Sequence, residues 1–227
     1  MKPVLYLAVS AAALALSFPA FAAGKLQVVA SFSIIGDFAK EVGGERIELT
    51  TLVGPGGDAH VYEPKPADAA AMQKADVVLV NGLHFEGFLQ RLVDASATRA
   101  RIAELTKGVK TIEVKEDEHG EAGQGETAGH HHEGVDPHAF QSIANAKIYV
   151  RNVADAFCAA DAQGCGVYTA NATAYTQKLD ALESEVKADI GSIPEEKRTI
   201  ITSHDAFGYF ARAYCIAFIA PQGVSTD

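Results

Sequence analysis

An α/β fold with two lobes of parallel sheet and flanking helices is predicted by three features of this 227-residue chain. Short apolar runs alternate with helical stretches over the first half. A segment rich in Gly, Glu and His interrupts the alternation near residue 115. After a long helix the strand–helix pattern resumes, but only briefly.

The elements follow in order. "KLQVVASF" reads as a buried strand that leads into the helix "SIIGDFAKEVGG", closed by glycine. "IELTTLV" is a second strand and opens onto the turn "GPGGDAHVYEPKP". "PADAAAMQKA" is a helix with Pro66 in its first turn, and "DVVLVNG" the next strand. "FEGFLQRLVDAS" is helical and "VKTIEV" is expected to be a further strand. Helical pattern runs from Ser142 to about Asp161, then from about Tyr168 to Ile190. The second helix would span roughly 35 Å, enough to lie along two domains. "RTIITSH", "DAFGYFARAY" and "IAFIAPQG" form a final strand, helix and strand.

The expected organisation is a signal peptide over residues 1–22 and an N-terminal α/β lobe over 23–141, which includes a His-rich loop at 115–134. A helical connector over 142–197 and a partial C-terminal α/β lobe over 198–227 complete it. "MKPVLYLAVSAAALALSFPAFAAGK" has an early Lys2, an apolar run and the small-x-small site Ala20-Phe21-Ala22, the pattern of a cleavable secretory signal. No cysteine stands at the cleavage site, so lipid anchoring there is not expected. Export implies a compartment that tolerates disulfides. Cys158 and Cys165 bracket "AADAQG" and could close it, with two unpaired thiols as the alternative. Cys215, in "YCIAFIA", is expected to be a small core residue of a buried strand. The net charge of −10 speaks against nucleic acid as a partner.

Three histidines stand where chains turn. His60 lies in "GPGGDAHVYEP", His138 in "VDPHAF" and His204 in "ITSHDAFGYF". His60 and His204 follow strands, and open α/β sheets bind ligands at the carboxyl ends of their strands. Pro137 restricts the backbone just before His138. Neutral imidazoles on rigid turns suit Zn²⁺ or Mn²⁺. Any one of them alone is a weak signal.

"VVASFSIIGDFAKEVGG", "GPGGDAHVYEPKPADAAAMQKADVVLVNGLHFEGFLQRL", "DPHAF" and "TSHDAFGYFARAY" resemble the metal-binding, substrate-binding proteins of zinc and manganese ABC importers, nearest the zinc-specific periplasmic branch. The resemblance covers nearly all of the exported part. It implies two lobes joined by a long backbone helix, a metal held between them, and His60, His138 and His204 as ligands. It implies a fourth, acidic ligand nearer the C-terminus. The chain ends before that position, so a truncated second lobe is expected. Phe140 stands where the family commonly has Trp, and Gln141-Ser142 replace the usual Asp-Pro.

A histidine-rich insertion before the Asp-Pro-His motif also matches the zinc branch. Here His119, His130, His131 and His132, with Glu116, Asp117, Glu118 and Glu133, form a flexible auxiliary patch for metal capture. A solvated acidic linker is the plainer alternative. Asp58 and Glu63 are candidates to orient His60 or its loop, and His84 is expected to be structural rather than a ligand.

No enzyme is expected. Ser203, His204 and Asp205 are adjacent and cannot form a proton-transfer line, and the paired-histidine motifs of zinc hydrolases are absent. A zinc-dependent hydrolase is therefore the weaker alternative, and a manganese-binding importer component the nearer one. The expected role is a periplasmic protein that captures Zn²⁺ as cargo and delivers it to the membrane permease of a zinc ABC importer. A periplasmic zinc donor is a further expected partner. Imidazole binds metal only when neutral, so zinc affinity should fall steeply between about pH 6.5 and pH 5. A flat affinity over that range, measured by chelator competition, would contradict a three-histidine site.

Overall fold

The structure, a computed structural model, describes residues 24–114, 134–221, 223, 224 and 226. The expected signal peptide and the histidines at 119 and 130–132 lie outside the described residues.

Four parallel strands form the main sheet: β1 (Leu26–Phe32), β2 (Ile47–Val53), β3 (Val77–Val80) and β4 (Arg101–Glu104), in the order β2-β1-β3-β4. Every residue of β3 is buried, as is all of β1 except Gln27. That continuous apolar character is what a parallel sheet covered on both faces requires. Helix α1 (Ser33–Gly43) crosses from β1 to β2 and ends at Gly44, whose φ of 53° suits a residue without a Cβ. Helix α2 (Pro66–Lys74) crosses back to β3, and α3 (Leu89–Ser96) leads to β4. The chain thus leaves β1 in opposite directions on its two sides. The crevice at the carboxyl ends of β1 and β3 is the topological switch point.

The strand expected in "VKTIEV" does not form. The fourth strand is Arg101–Glu104, paired with β3 from Val77↔Arg101 to Val80↔Glu104. It is a largely exposed edge strand, so it lacks the apolar run that marks the inner strands. Residues 112–114 pair instead with 134–136 in an antiparallel bridge, Glu113↔Val135, flanked by Val114 N–H to Gly134 O and Asp136 N–H to Ile112 O, each at 2.9 Å.

Helices α4 (Ile143–Ala160) and α5 (Cys165–Ser192) pack against each other and against α1. Helix α5 has 28 residues and a length of about 42 Å. Its buried residues, Tyr168, Ala172 and Leu179, lie in the portion that faces the main sheet unit. Asn171 Nδ2 donates to Val42 O at 2.9 Å, and Lys178 pairs with Glu41 at 3.0 Å. Among the described residues, no helix is long and apolar enough to cross a membrane.

The α4–α5 corner is built on Asp161. Its Oδ2 accepts from Arg46 Nη2 at 2.7 Å and from Tyr168 Oη at 2.8 Å, and its Oδ1 from Gly164 N–H at 3.0 Å. The Arg46 hydrogen bonds outweigh partial burial and hold the Asp161 carboxyl below its usual range. A depressed carboxyl stabilises the fold above about pH 4, and this contribution is lost as pH falls through the depressed value. Asp161→Ala should lower the melting temperature at pH 7 by about 4 °C. An unchanged melting curve would show that the corner does not hold α5. The Cys158 and Cys165 sulfurs stand 1.99 Å apart across this corner.

Beyond α5, β5 (Thr199–Ile201) and β6 (Ala217–Ile219) form a separate two-stranded parallel sheet, connected by α6 (Gly208–Tyr214). The "IAFIAPQG" strand is not a buried one: Ile219 is 57 % exposed, and Ile201 in β5 is 78 % exposed. Cys215 is not in that strand either. It is exposed and ends α6 with a φ of 56°, a left-handed turn that stops the helix before β6 begins.

Candidate metal centre

His60 and His204 lie in loops that follow strands, and His138 follows the isolated Glu113–Val135 bridge. His60 lies in the loop between β2 and α2. Its backbone N–H donates to Asp58 Oδ1 at 2.9 Å. Two residues on, Tyr62 Oη donates at 2.8 Å to Asp68 Oδ2, which also accepts the Lys65 N–H at 2.7 Å at the start of α2. The loop is therefore tied down on both sides of the imidazole.

His138 is the most buried of the three, at 2 % exposure. Its turn is anchored from below: Asn81, just past β3, donates through Nδ2 to Pro137 O at 2.9 Å and accepts from Tyr149 Oη at 2.6 Å. Asn81 N–H and Ser31 Oγ both donate to Glu86 Oε1, at 2.6 and 2.7 Å. Burial pushes the Glu86 carboxyl up, against these donors. His204 follows β5 and comes from the second sheet unit.

The three imidazoles meet. Their ligand nitrogens all lie within 4.8 Å of one another, and His60 Nε2 and His138 Nε2 are 3.1 Å apart. Two nitrogens bound at about 2.0–2.1 Å to a tetrahedral ion stand about 3.3 Å apart, so this pair already has nearly that spacing. A movement of at most about 1.5 Å brings the third nitrogen to the same distance. His138 Nδ1 faces Asp136 Oδ1 at 2.9 Å, and the same oxygen accepts the His138 backbone N–H at 2.9 Å. Nδ1 therefore carries the proton, and Nε2 presents a lone pair to the centre of the trio.

The floor of the site is aromatic. The Phe85 ring lies 4.7 Å from the His60 ring and 5.6 Å from that of His138, and Phe32 and Phe140 close the cluster at 5.0–5.4 Å from Phe85 and each other. These rings pack against the His60 and His138 imidazoles and give that side of the site an apolar wall.

Of the residues expected around the trio, Asp58 takes the supporting position. Its Oδ1 holds the His60 N–H and its Oδ2 accepts from Thr226 Oγ1 at 2.7 Å. Burial raises its carboxyl, but those donors and the nearby His60 and His204 leave it below its usual range. Glu63 faces Arg91 at 3.7 Å on the exposed side of the loop. His84 is exposed in a left-handed backbone conformation, φ 60°, and is not part of the trio. The residue missed in the sequence is Asp136. Its signal was present in Asp-Pro-His, where an acidic side chain two residues before a histidine can turn back onto it.

The chain is 37 % identical over 189 residues to the manganese-binding lipoprotein MntA of Halalkalibacterium halodurans, covering 83 % of this chain and 58 % of that protein. It is 32 % identical to the iron-binding protein YfeA of Yersinia pestis, covering 91 % of this chain and 62 % of that one. The chain thus spans about three fifths of the length of these curated relatives. The solved structure of the periplasmic zinc binding protein TroA from Treponema pallidum superposes with a TM-score of 0.76 at 29 % identity, over 89 % of this chain and 69 % of that one. The family described as zinc-uptake complex component A, periplasmic (ZnuA) matches residues 28–227, and the chain belongs to that family.

Proposed function

We propose that this protein captures a divalent transition-metal ion, Zn²⁺ by preference, in the periplasm and passes it to the membrane permease of an ABC importer. The observation that carries this reading is the convergence of His60, His138 and His204, with two imidazole nitrogens 3.1 Å apart at the switch point of the sheet. Nitrogen donors favour Zn²⁺ over Mn²⁺, which prefers oxygen. Manganese is the second reading, favoured by relatives named as manganese-binding lipoproteins.

The metal is cargo, and no reaction is assigned to it. Asp136, the buried carboxylate beside the trio, is engaged by His138, and Asp58 is engaged by its own loop and Thr226. Neither is placed as a free general base, which weighs against a zinc hydrolase. The two separate sheets support the division at residues 23–141, 142–197 and 198–227. We also read Cys158 and Cys165 as disulfide-bonded. Alkylation without reductant should then modify Cys215 alone.

The test is competition against a chromophoric chelator, with His119, His130, His131 and His132 replaced by alanine. One zinc should be retained per chain, at least 100-fold more tightly than manganese. Zinc binding that disappears with those four histidines would place the metal in the loop. Equal affinity for the two metals would favour the manganese reading.

A further inference from the structure

We infer that Gly208 and Tyr209, at the start of α6, lock Asp136, whose carboxylate aligns His138, so that the second sheet unit controls how long the metal stays bound. This rests on the three-histidine reading above. Asp136 holds the His138 ring; its own N–H is tied to Ile112 O, and α6 contacts both its carbonyl and its carboxylate. Tyr209 is 5 % exposed, and its hydroxyl lies between two backbone groups. It donates to Asp136 O at 2.9 Å and accepts the Ile112 N–H at 3.2 Å. Both capacities of a phenol are thereby used. The neighbouring glycine touches the other end of the same residue. A Cβ on Gly208 would sit 2.5 Å from Asp136 Oδ2, so the bare α6 backbone forms one wall for that carboxylate.

His204 belongs to the same short segment, four residues before Gly208. A single stretch, 204–209, therefore supplies one ligand directly and fixes a second through Asp136. When this stretch moves away from the main sheet unit, His204 leaves the ion. Asp136 also loses its hydroxyl donor and its wall, and the His138 ring is freed to turn. Retention and release then depend on one movement. A tyrosine that served only as core packing would keep its ring in place without needing its hydroxyl between Asp136 O and Ile112 N–H.

The experiment uses the full chain loaded with zinc and measures its release into excess chelator by stopped flow. Tyr209→Phe should release zinc about tenfold faster with the association rate unchanged. In an Asp136→Asn background the same substitution should add little, because the Tyr209 hydroxyl reaches the His138 ring only by positioning the Asp136 carboxylate. Tyr214→Phe, on the same helix but packed on Phe210 at 4.6 Å, serves as the control and should leave release unchanged. Gly208→Ala keeps the test open if Tyr209→Phe folds poorly, and should accelerate release at least as much. Full multiplicative effects of Tyr209→Phe and Asp136→Asn, or release rates that no α6 substitution alters, would overturn the inference. A wild-type chain that retains no zinc overturns the three-histidine reading itself, and this inference with it.

Discussion

His138→Ala is expected to weaken zinc binding by more than 100-fold while leaving the far-ultraviolet circular dichroism unchanged. Exchange of a residue that merely orients a ligand typically costs 10–100-fold, and loss of the ligand should exceed that. The fold should survive because His138 lies in a turn, while the core below it is made by β1, β3 and α4. Alanine also preserves the backbone N–H that donates to Asp136. Equilibrium competition with a chelator checks the result. Wild-type affinity in the variant would mean that the imidazole cluster is a packing arrangement and not a site.

The second large effect is expected one step behind the ligand. Asp136→Asn keeps the volume and one acceptor oxygen but removes the charge facing His138 Nδ1 at 2.9 Å. A carboxylate there fixes the tautomer and makes Nε2 a better donor to metal. Zinc affinity should fall about 10–100-fold. His138→Ala and Asp136→Asn combined should be little worse than His138→Ala alone, since the carboxylate acts through the ring. An Asp136→Asn variant with wild-type affinity would leave the Asp136–His138 pair as a fold contact only.

Much of this arrangement was legible in the residues. β1 and β3 are continuous apolar runs, and β2, although partly exposed, is a β-branched run that ends in a glycine turn. The bounds of β2 match the run "IELTTLV". The trio was legible because His60 and His204 stand in loops that follow strands, where α/β sheets bind ligands. What escaped was marked by contacts distant in sequence. β4 is defined by its partner β3 and not by apolar character of its own, so the β-branched run at 109–114 was the stronger local signal. Asp136 acquires its role only from the fold of its own turn, which sets its carboxylate against His138. Phe85 appeared to belong to a helix face, yet it forms the floor beneath two ligands because Gly82, Leu83 and His84 all take positive φ and turn the chain back. Cys215 lies in an apolar stretch, and only the left-handed end of α6 turns it outward.

One metal held by imidazoles from both sheet units defines the proposed site. X-ray absorption spectroscopy on the chain loaded with one equivalent of zinc, with His119, His130, His131 and His132 replaced by alanine, addresses it directly. Three imidazole nitrogens at about 2.0–2.1 Å, reduced to two by His204→Ala, are the predicted result. A first shell of oxygen with one imidazole or none, or a spectrum indifferent to His204→Ala, would contradict it.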